Sequence, residues 1–132
     1  MAHVSCPVTM LRGVPVIAAP GEIDAGNAGS LRAVLAETAA RGHATIVVDL
    51  TATQFCDSAG LHVLIRAHRM AVAEGGELRL VIGSGAVLRT FAITGVDRVM
   101  PRFPDRAAAV APLPAVTIDP AWLSWPGIVS AA

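Results

Sequence analysis

Residues 46–61 read Ile46-Val47-Val48-Asp49-Leu50-Thr51-Ala52-Thr53-Gln54-Phe55-Cys56-Asp57-Ser58-Ala59-Gly60-Leu61, and this stretch decides the fold. Residues 46–50 are a short, β-branched apolar run, as a strand covered by helices requires. Asp57 and Ser58 are both good helix caps, and an apolar-periodic segment follows them. The pattern is therefore strand, short loop, helix. It places a hydroxyl at the positive end of a helix, where backbone N–H groups and the macrodipole favour an anion. Ser58 is the residue that this spacing singles out.

The helix after Ser58 is predicted over residues 58–73, with Leu61, Leu64, Ile65, His68, Ala71 and Val72 on one wide apolar face. His62, Val63, Arg66, Arg69, Met70 and Ala73 fall on the other side. Gly75-Gly76 ends it, and a strand is predicted over residues 77–82. Ser84 caps a third helix over 84–93, which Gly95 stops. Residues 96–101 read as a short strand or extended segment, and Asp105 caps a last short helix to about residue 111.

Upstream, residues 4–10 and 14–19 read as two strands joined by a tight turn at Arg12-Gly13. Pro7 and Pro15 place at least one of them at an edge. Pro20-Gly21 breaks the pattern. A helix capped by Asp24 or Asn27 then runs to about Arg41, with Leu31, Val34, Leu35 and Thr38/Ala39 at helical spacing. Strand and helix alternate from residue 14 onward, so the expected class is α/β with a mostly parallel sheet.

Composition narrows the function. The chain has 132 residues, one domain by size, and 54% of them are apolar. Ten arginines and no lysine balance ten acidic residues, so no net charge points to nucleic acid as a partner. No apolar run approaches the ~18–20 residues of a spanning helix, and no secretory pattern stands at the start, so a cytoplasmic protein without direct membrane insertion is expected. Cys6 and Cys56 sit in no metal or redox spacing, and the four histidines show no ligand pattern, so no metal and no cofactor is expected. Cys56 has no histidine in its motif, and the neighbouring carboxylate of Asp57 raises a thiol pKa rather than lowering it. No Ser/His/Asp or Cys/His set is visible, so no catalysis is expected. Residues 112–132 differ from the rest. They carry Pro112, Pro114, Pro120 and Pro126 with Trp122 and Trp125, and are expected to pack back on the domain or to cover an apolar patch in a homodimer.

Four stretches now stand in order: Gly21-Glu22-Ile23-Asp24, Val47-Val48-Asp49-Leu50, Phe55-Cys56-Asp57-Ser58-Ala59-Gly60-Leu61 and Gly75-Gly76-Glu77-Leu78. Together they resemble the STAS domain of the anti-sigma-factor antagonists, over about residues 4–111. The resemblance implies an STAS-like fold: a small mixed, mostly parallel sheet of about 4–5 strands with about 4 helices packed on one face. It divides the chain into an STAS domain, 1–111, and the tail, 112–132, which is outside the family pattern. It implies that Ser58 is phosphorylated by a partner anti-sigma factor, a serine kinase that binds the ATP. The unphosphorylated protein holds that kinase and frees the sigma factor, so sigma-dependent transcription is regulated. The phosphorylated protein releases the kinase, and a serine phosphatase resets the switch. Many members carry a second hydroxyl where this chain has Ala59, so a role for that hydroxyl is lost here while Ser58 is kept.

Read alone, Ser58 and Asp57 are ordinary helix caps. Asp24 is equally a cap, although the family topology brings its strand end close to the Ser58 loop. On a helical wheel Ser58, His62 and Arg69 lie in one column, with Arg66, Val63 and Met70 beside it. This column and the loop 53–57 are the expected partner face, with Asp24, Asp57, Ser58, His62, Arg66 and Arg69 as its polar residues. The alternative within the same family is a structural subunit of a lipid ABC transporter or a stress-signalling scaffold, in which Ser58 only caps a helix.

Overall fold

Strand β4 (Thr45–Leu50) is the middle of a five-stranded sheet in the computed structural model, which describes residues 6–111. On one side of β4 lie β2 (Val14–Ala18) and, at the edge, β1 (Val8–Leu11). On the other lie β6 (Glu77–Ile82) and β7 (Arg102–Phe103). Strand β1 is antiparallel to β2, and the remaining pairs are parallel. Strands β4 and β6 pair from Thr45–Glu77 to Leu50–Ile82 without a break. The hairpin turn is the predicted one. Arg12 and Gly13 have φ of 50° and 76°, the left-handed pair that matches strand twist in a two-residue turn.

Because side chains alternate across a strand, β4 and β6 present two apolar faces. Ile46, Val48, Leu50, Leu78, Leu80 and Ile82 enter the main core. There they meet Leu31 and Leu35 of helix α1 (Ala28–Ala40), Leu61 and Leu64 of α2 (Ser58–Ala73), and Val87 and Phe91 of α3 (Gly85–Thr94). Val16, Val47 and Val81 point the other way, against Ala109 and Val110 of α4 (Arg106–Val110). The expectation of all helices on one face is therefore corrected: three cover one face and α4 the other. The reason is the continuous apolar run of β4. Leaving its second face wet would forgo roughly 1.5–3 kcal/mol per buried Val.

Two charged side chains hold α4 on the sheet. Asp49, at the β4 position facing α4, accepts from Arg106 Nε at 2.6 Å. Its other oxygen accepts from the backbone N–H of Thr51, at 2.9 Å, and from the Thr51 hydroxyl. Buried Arg79 donates to the Ala109 carbonyl at 2.8 Å and to Glu77 at 2.8 Å, and its guanidinium lies 5.7 Å from the Phe103 ring centre. It thereby satisfies a carbonyl that a helix end leaves without a partner.

Three local readings need revision. Residues 20–24, read as a break, and 51–56, read as a loop, contain two-residue strands β3 (Glu22–Ile23) and β5 (Phe55–Cys56), which pair parallel to one another outside the main sheet. Residues 96–101 are not a strand. Val96–Arg98 is a 3-10 turn that sends Val96 and Met100 into the core, and β7 starts only at Arg102. Val72 is 54% exposed, although its spacing assigns it to the buried stripe of α2. The tail, 112–132, lies outside the described residues. Among those described, no helix is long and apolar enough to cross a membrane.

Burial pushes the Asp49 carboxyl up, but hydrogen bonds from Thr51 and Arg106, with the Arg106 charge, more than offset this and hold it below its ordinary value. The unfolded chain then binds more protons here than the folded one, so this contribution is complete above the ordinary carboxylate pKa and is lost as pH falls through the folded value. Asp49→Asn should cost about 1–2 kcal/mol at pH 7, a range discounted for the partly exposed Arg106, and should flatten the acid limb of a urea-denaturation series between about pH 5 and 3.

Candidate functional site

The ribbon of β3 and β5 carries the two loops that make the site. Glu22 pairs with Phe55 and Ile23 with Cys56, and Asp57 N–H donates to the Ile23 carbonyl at 3.0 Å. The chain after β3, which carries Asp24, therefore runs beside the chain after β5, which carries Asp57 and Ser58. Thr53 anchors the approach. It is fully buried, and its hydroxyl donates to the Pro20 carbonyl at 2.8 Å. This places Thr53 inside the protein and removes it from the expected partner face.

Asp57 is the N-cap of α2, with extended backbone and Oδ1 accepting from Gly60 N–H at 3.1 Å. Ser58 is the first helical residue and is exposed. Of the two caps that the sequence offers, Asp57 takes the cap position and leaves the Ser58 hydroxyl in solvent. Gly60 lies where the first turn of α2 crosses the ribbon. A Cβ there would stand 2.6 Å from Ile23 Cγ2 and 2.7 Å from Cys56 Sγ. Only glycine lets the helix start this close to the two strands.

Asp24 is half-buried and organises its own loop. Its Oδ1 accepts from Gly26 N–H at 2.9 Å and Asn27 N–H at 3.2 Å, while Asn27 Oδ1 accepts from Asp24 N–H at 2.9 Å. Asn27 holds the N-cap position of α1 but makes no side-chain cap bond. One further hydrogen bond joins this loop to the other: Ala25 N–H donates to Asp57 Oδ2 at 3.1 Å.

His62, Arg66 and Arg69 are exposed on α2 and, with Ile65, line a shallow depression of about 170 Å³. Among the described residues no carboxylate pairs with Arg66 or Arg69. Of the six expected site residues, Asp24, Asp57 and Ser58 lie on the adjoined loops, and His62, Arg66 and Arg69 follow along α2. Phe55 is an addition. It is a large aromatic, 52% exposed, on β5 just before the Asp57-Ser58 pair. Its alternation with buried Cys56 is the one sequence signal for it, and two residues are too few to read.

The other polar candidates have structural partners. His68 is buried, and its Nδ1 accepts from Leu78 N–H at 3.1 Å. Ser84 caps α3 through Val87 N–H. Burial, and then the Asp57 charge, push the Cys56 thiol up to about 11, far from a reactive thiolate at neutral pH.

Residues 7–109 match the family model described as the STAS domain. The chain is 28% identical over 107 residues to the anti-sigma F factor antagonist of Paenibacillus polymyxa, covering 80% of this chain and 92% of that protein. It is 35% identical over 80 residues to the anti-sigma-B factor antagonist of Bacillus subtilis strain 168, covering 61% of this chain and 72% of that one. A crystal structure of an anti-sigma factor antagonist from Mycobacterium paratuberculosis matches with a TM-score of 0.73 at 30% identity, covering 80% of this chain and 89% of that chain.

The close approach at Gly60 yields a direct test. Gly60→Ala should destabilise the protein by about 1–3 kcal/mol in equilibrium unfolding, because Ile23 is β-branched and fully buried and cannot move aside. Ala59→Gly, on the same turn but without that collision, should cost no more than about 1 kcal/mol.

Proposed function

The chain belongs to the STAS-domain family, among the anti-sigma-factor antagonists, and from that premise we propose that it is a phosphorylation-controlled partner switch. Unphosphorylated, it binds an anti-sigma factor that is a serine kinase and so frees the sigma factor. Phosphorylated on Ser58, it releases the kinase, and a serine phosphatase restores it. The observation that carries this reading is the exposed Ser58 hydroxyl at the first position of α2, next to a cap residue that does the capping in its place.

The chemistry is the partner's. Ser58 Oγ attacks the γ-phosphorus of the ATP held by the kinase, an O–P bond forms, and the bond to the β-phosphate oxygen breaks to leave ADP. The hydroxyl proton passes to a base on the kinase or to water. This chain supplies the nucleophile and the surface that presents it.

The added phosphate carries about −1.5 to −2 charges at pH 7. At a helix N-terminus that charge is well placed, so modification leaves α2 folded. Its effect falls on the interface, where a dianion inside a contact carries desolvation and repulsion. Carrying a two-state equilibrium from 1:99 to 99:1 takes about 5.5 kcal/mol of differential affinity, an effect of the order that a charge buried in mid-interface supplies. The proposed contact surface is Asp24, Asp57, Ser58, His62, Arg66 and Arg69, with Phe55 beside them as an apolar anchor. Exposed arginines without carboxylate partners among the described residues suit an acidic patch on the kinase.

Incubation with ATP and the serine-kinase anti-sigma factor encoded nearest to this chain should add one phosphate to the wild type and none to Ser58→Ala, read by intact mass and phosphosite mapping. No phosphate, with stable binding to a membrane permease instead, would give the structural-subunit reading. The double variant Arg66→Glu/Arg69→Glu should bind the kinase at least about tenfold more weakly, with Tm changed by less than about 2 °C, because both side chains are exposed and, among the described residues, pair with no carboxylate. Unchanged affinity would remove the α2 face from the interface.

A further inference from the structure

We infer that Asp57 is a positioning residue that joins the Asp24 loop and the Ser58 turn into one recognition surface. The inference rests on the reading of Ser58 as a phosphoacceptor. An N-cap needs one oxygen, and Ser, Thr or Asn supplies it as well as Asp does. Asp57 uses two. Oδ1 accepts from Gly60 N–H and Oδ2 from Ala25 N–H, each at 3.1 Å. Two N–H donors, one from the Asp24 loop and one from the first turn of α2, converge on one side chain, and only a carboxylate is an acceptor at both ends. Asn would turn an NH₂ toward one of the donors, and Ser has a single oxygen.

The second bond matters because of how the Asp24 loop is built. Its other side-chain hydrogen bonds stay on its own side of the site: Asp24 to Gly26 and Asn27, Asn27 back to Asp24, and Asn27 to the Glu22 carbonyl of β3. The ladder between β3 and β5 ends where Asp57 N–H meets the Ile23 carbonyl. Beyond that point, among the described residues, Ala25 N–H to Asp57 Oδ2 is the one hydrogen bond between residues 24–27 and residues 57–60. Without it the loop keeps its shape and its bond to β3 but loses its direct tie to the Ser58 turn. A kinase reading both loops would then meet an acceptor that is chemically intact on a surface less well ordered. The expected signature is a raised KM with kcat retained, since the Ser58 hydroxyl stays on the first turn of α2.

Two single variants remove this bond from opposite ends. Asp57→Ser keeps a capping oxygen and loses the second acceptor. Ala25→Pro removes the donor at the second position of the turn that Asp24 opens, where Asn27 N–H returns to the Asp24 carbonyl and proline is favoured. Amide hydrogen exchange by NMR should show Ala25 at least about fivefold less protected in Asp57→Ser, with Gly60 protection and Tm held near wild type. In phosphorylation assays with the serine-kinase anti-sigma factor and ATP, each variant should raise KM about fivefold or more at unchanged kcat. The double variant should do no more than either alone.

Unchanged Ala25 protection in Asp57→Ser overturns the inference, and so does a released Ala25 with unchanged KM. Ala25→Pro leaves the cap untouched and so keeps the test open if Asp57→Ser fails to fold. A wild-type protein that is never phosphorylated sinks the phospho-switch reading, while the exchange measurement still decides whether Asp57 joins the two loops.

Discussion

Burial of β4 on both faces is the constraint from which the rest of the structure follows. A strand whose neighbours β2 and β6 run parallel to it needs crossovers, and here those crossovers are helices. Helices on one face leave Val16, Val47 and Val81 open on the other. A five-residue helix near the end of the described chain closes that second face. So short a helix has little stability of its own. Asp49 and Arg79, rising from the sheet, meet it with charge and hydrogen bonds, and the apolar contact of Ala109 and Val110 does the rest.

The same economy of carboxylates appears at both ends of the loop that follows β4. Asp49 divides its two oxygens between Thr51 and Arg106, and Asp57 divides its own between Gly60 and Ala25. Between them Thr53 is locked to Pro20. The segment that delivers Ser58 to the surface is thus held at its start, middle and end. A flexible loop would present a hydroxyl in many orientations and leave a partner to select among them. This one presents it from a fixed helix start.

Much of this was legible in the chain. Residues 58–73 and 77–82 stand in the structure with the bounds that periodicity predicts, because α2 and β6 each have one dominant period and a glycine or cap at the ends. What was not legible depended on tertiary contact. Two-residue strands have no period to read, so β3 and β5 were invisible, and with them the exposure of Phe55. Val96 and Met100 are apolar whether they serve a strand or a turn, and only the core decides. Of the candidate site, the place of Ser58 at the start of α2 and the outward column of His62, Arg66 and Arg69 were readable from spacing. The two-ended use of Asp57 was not, since its second partner is 32 residues away in the chain.

The collision that a side chain at position 60 would make with Ile23 and Cys56 has a bearing on inheritance. Glycine there answers to the Ile23 and Cys56 side chains of the ribbon, and it would be needed in a chain whose serine had never met a kinase. Asp57 likewise answers to two backbone amides. Descendants of such a fold are free to lose the hydroxyl at position 58 while their outline stays intact. An Asp-x-x-Gly signature at this turn therefore marks the architecture, and the residue just after the aspartate marks whether the proposed phosphoacceptor is present.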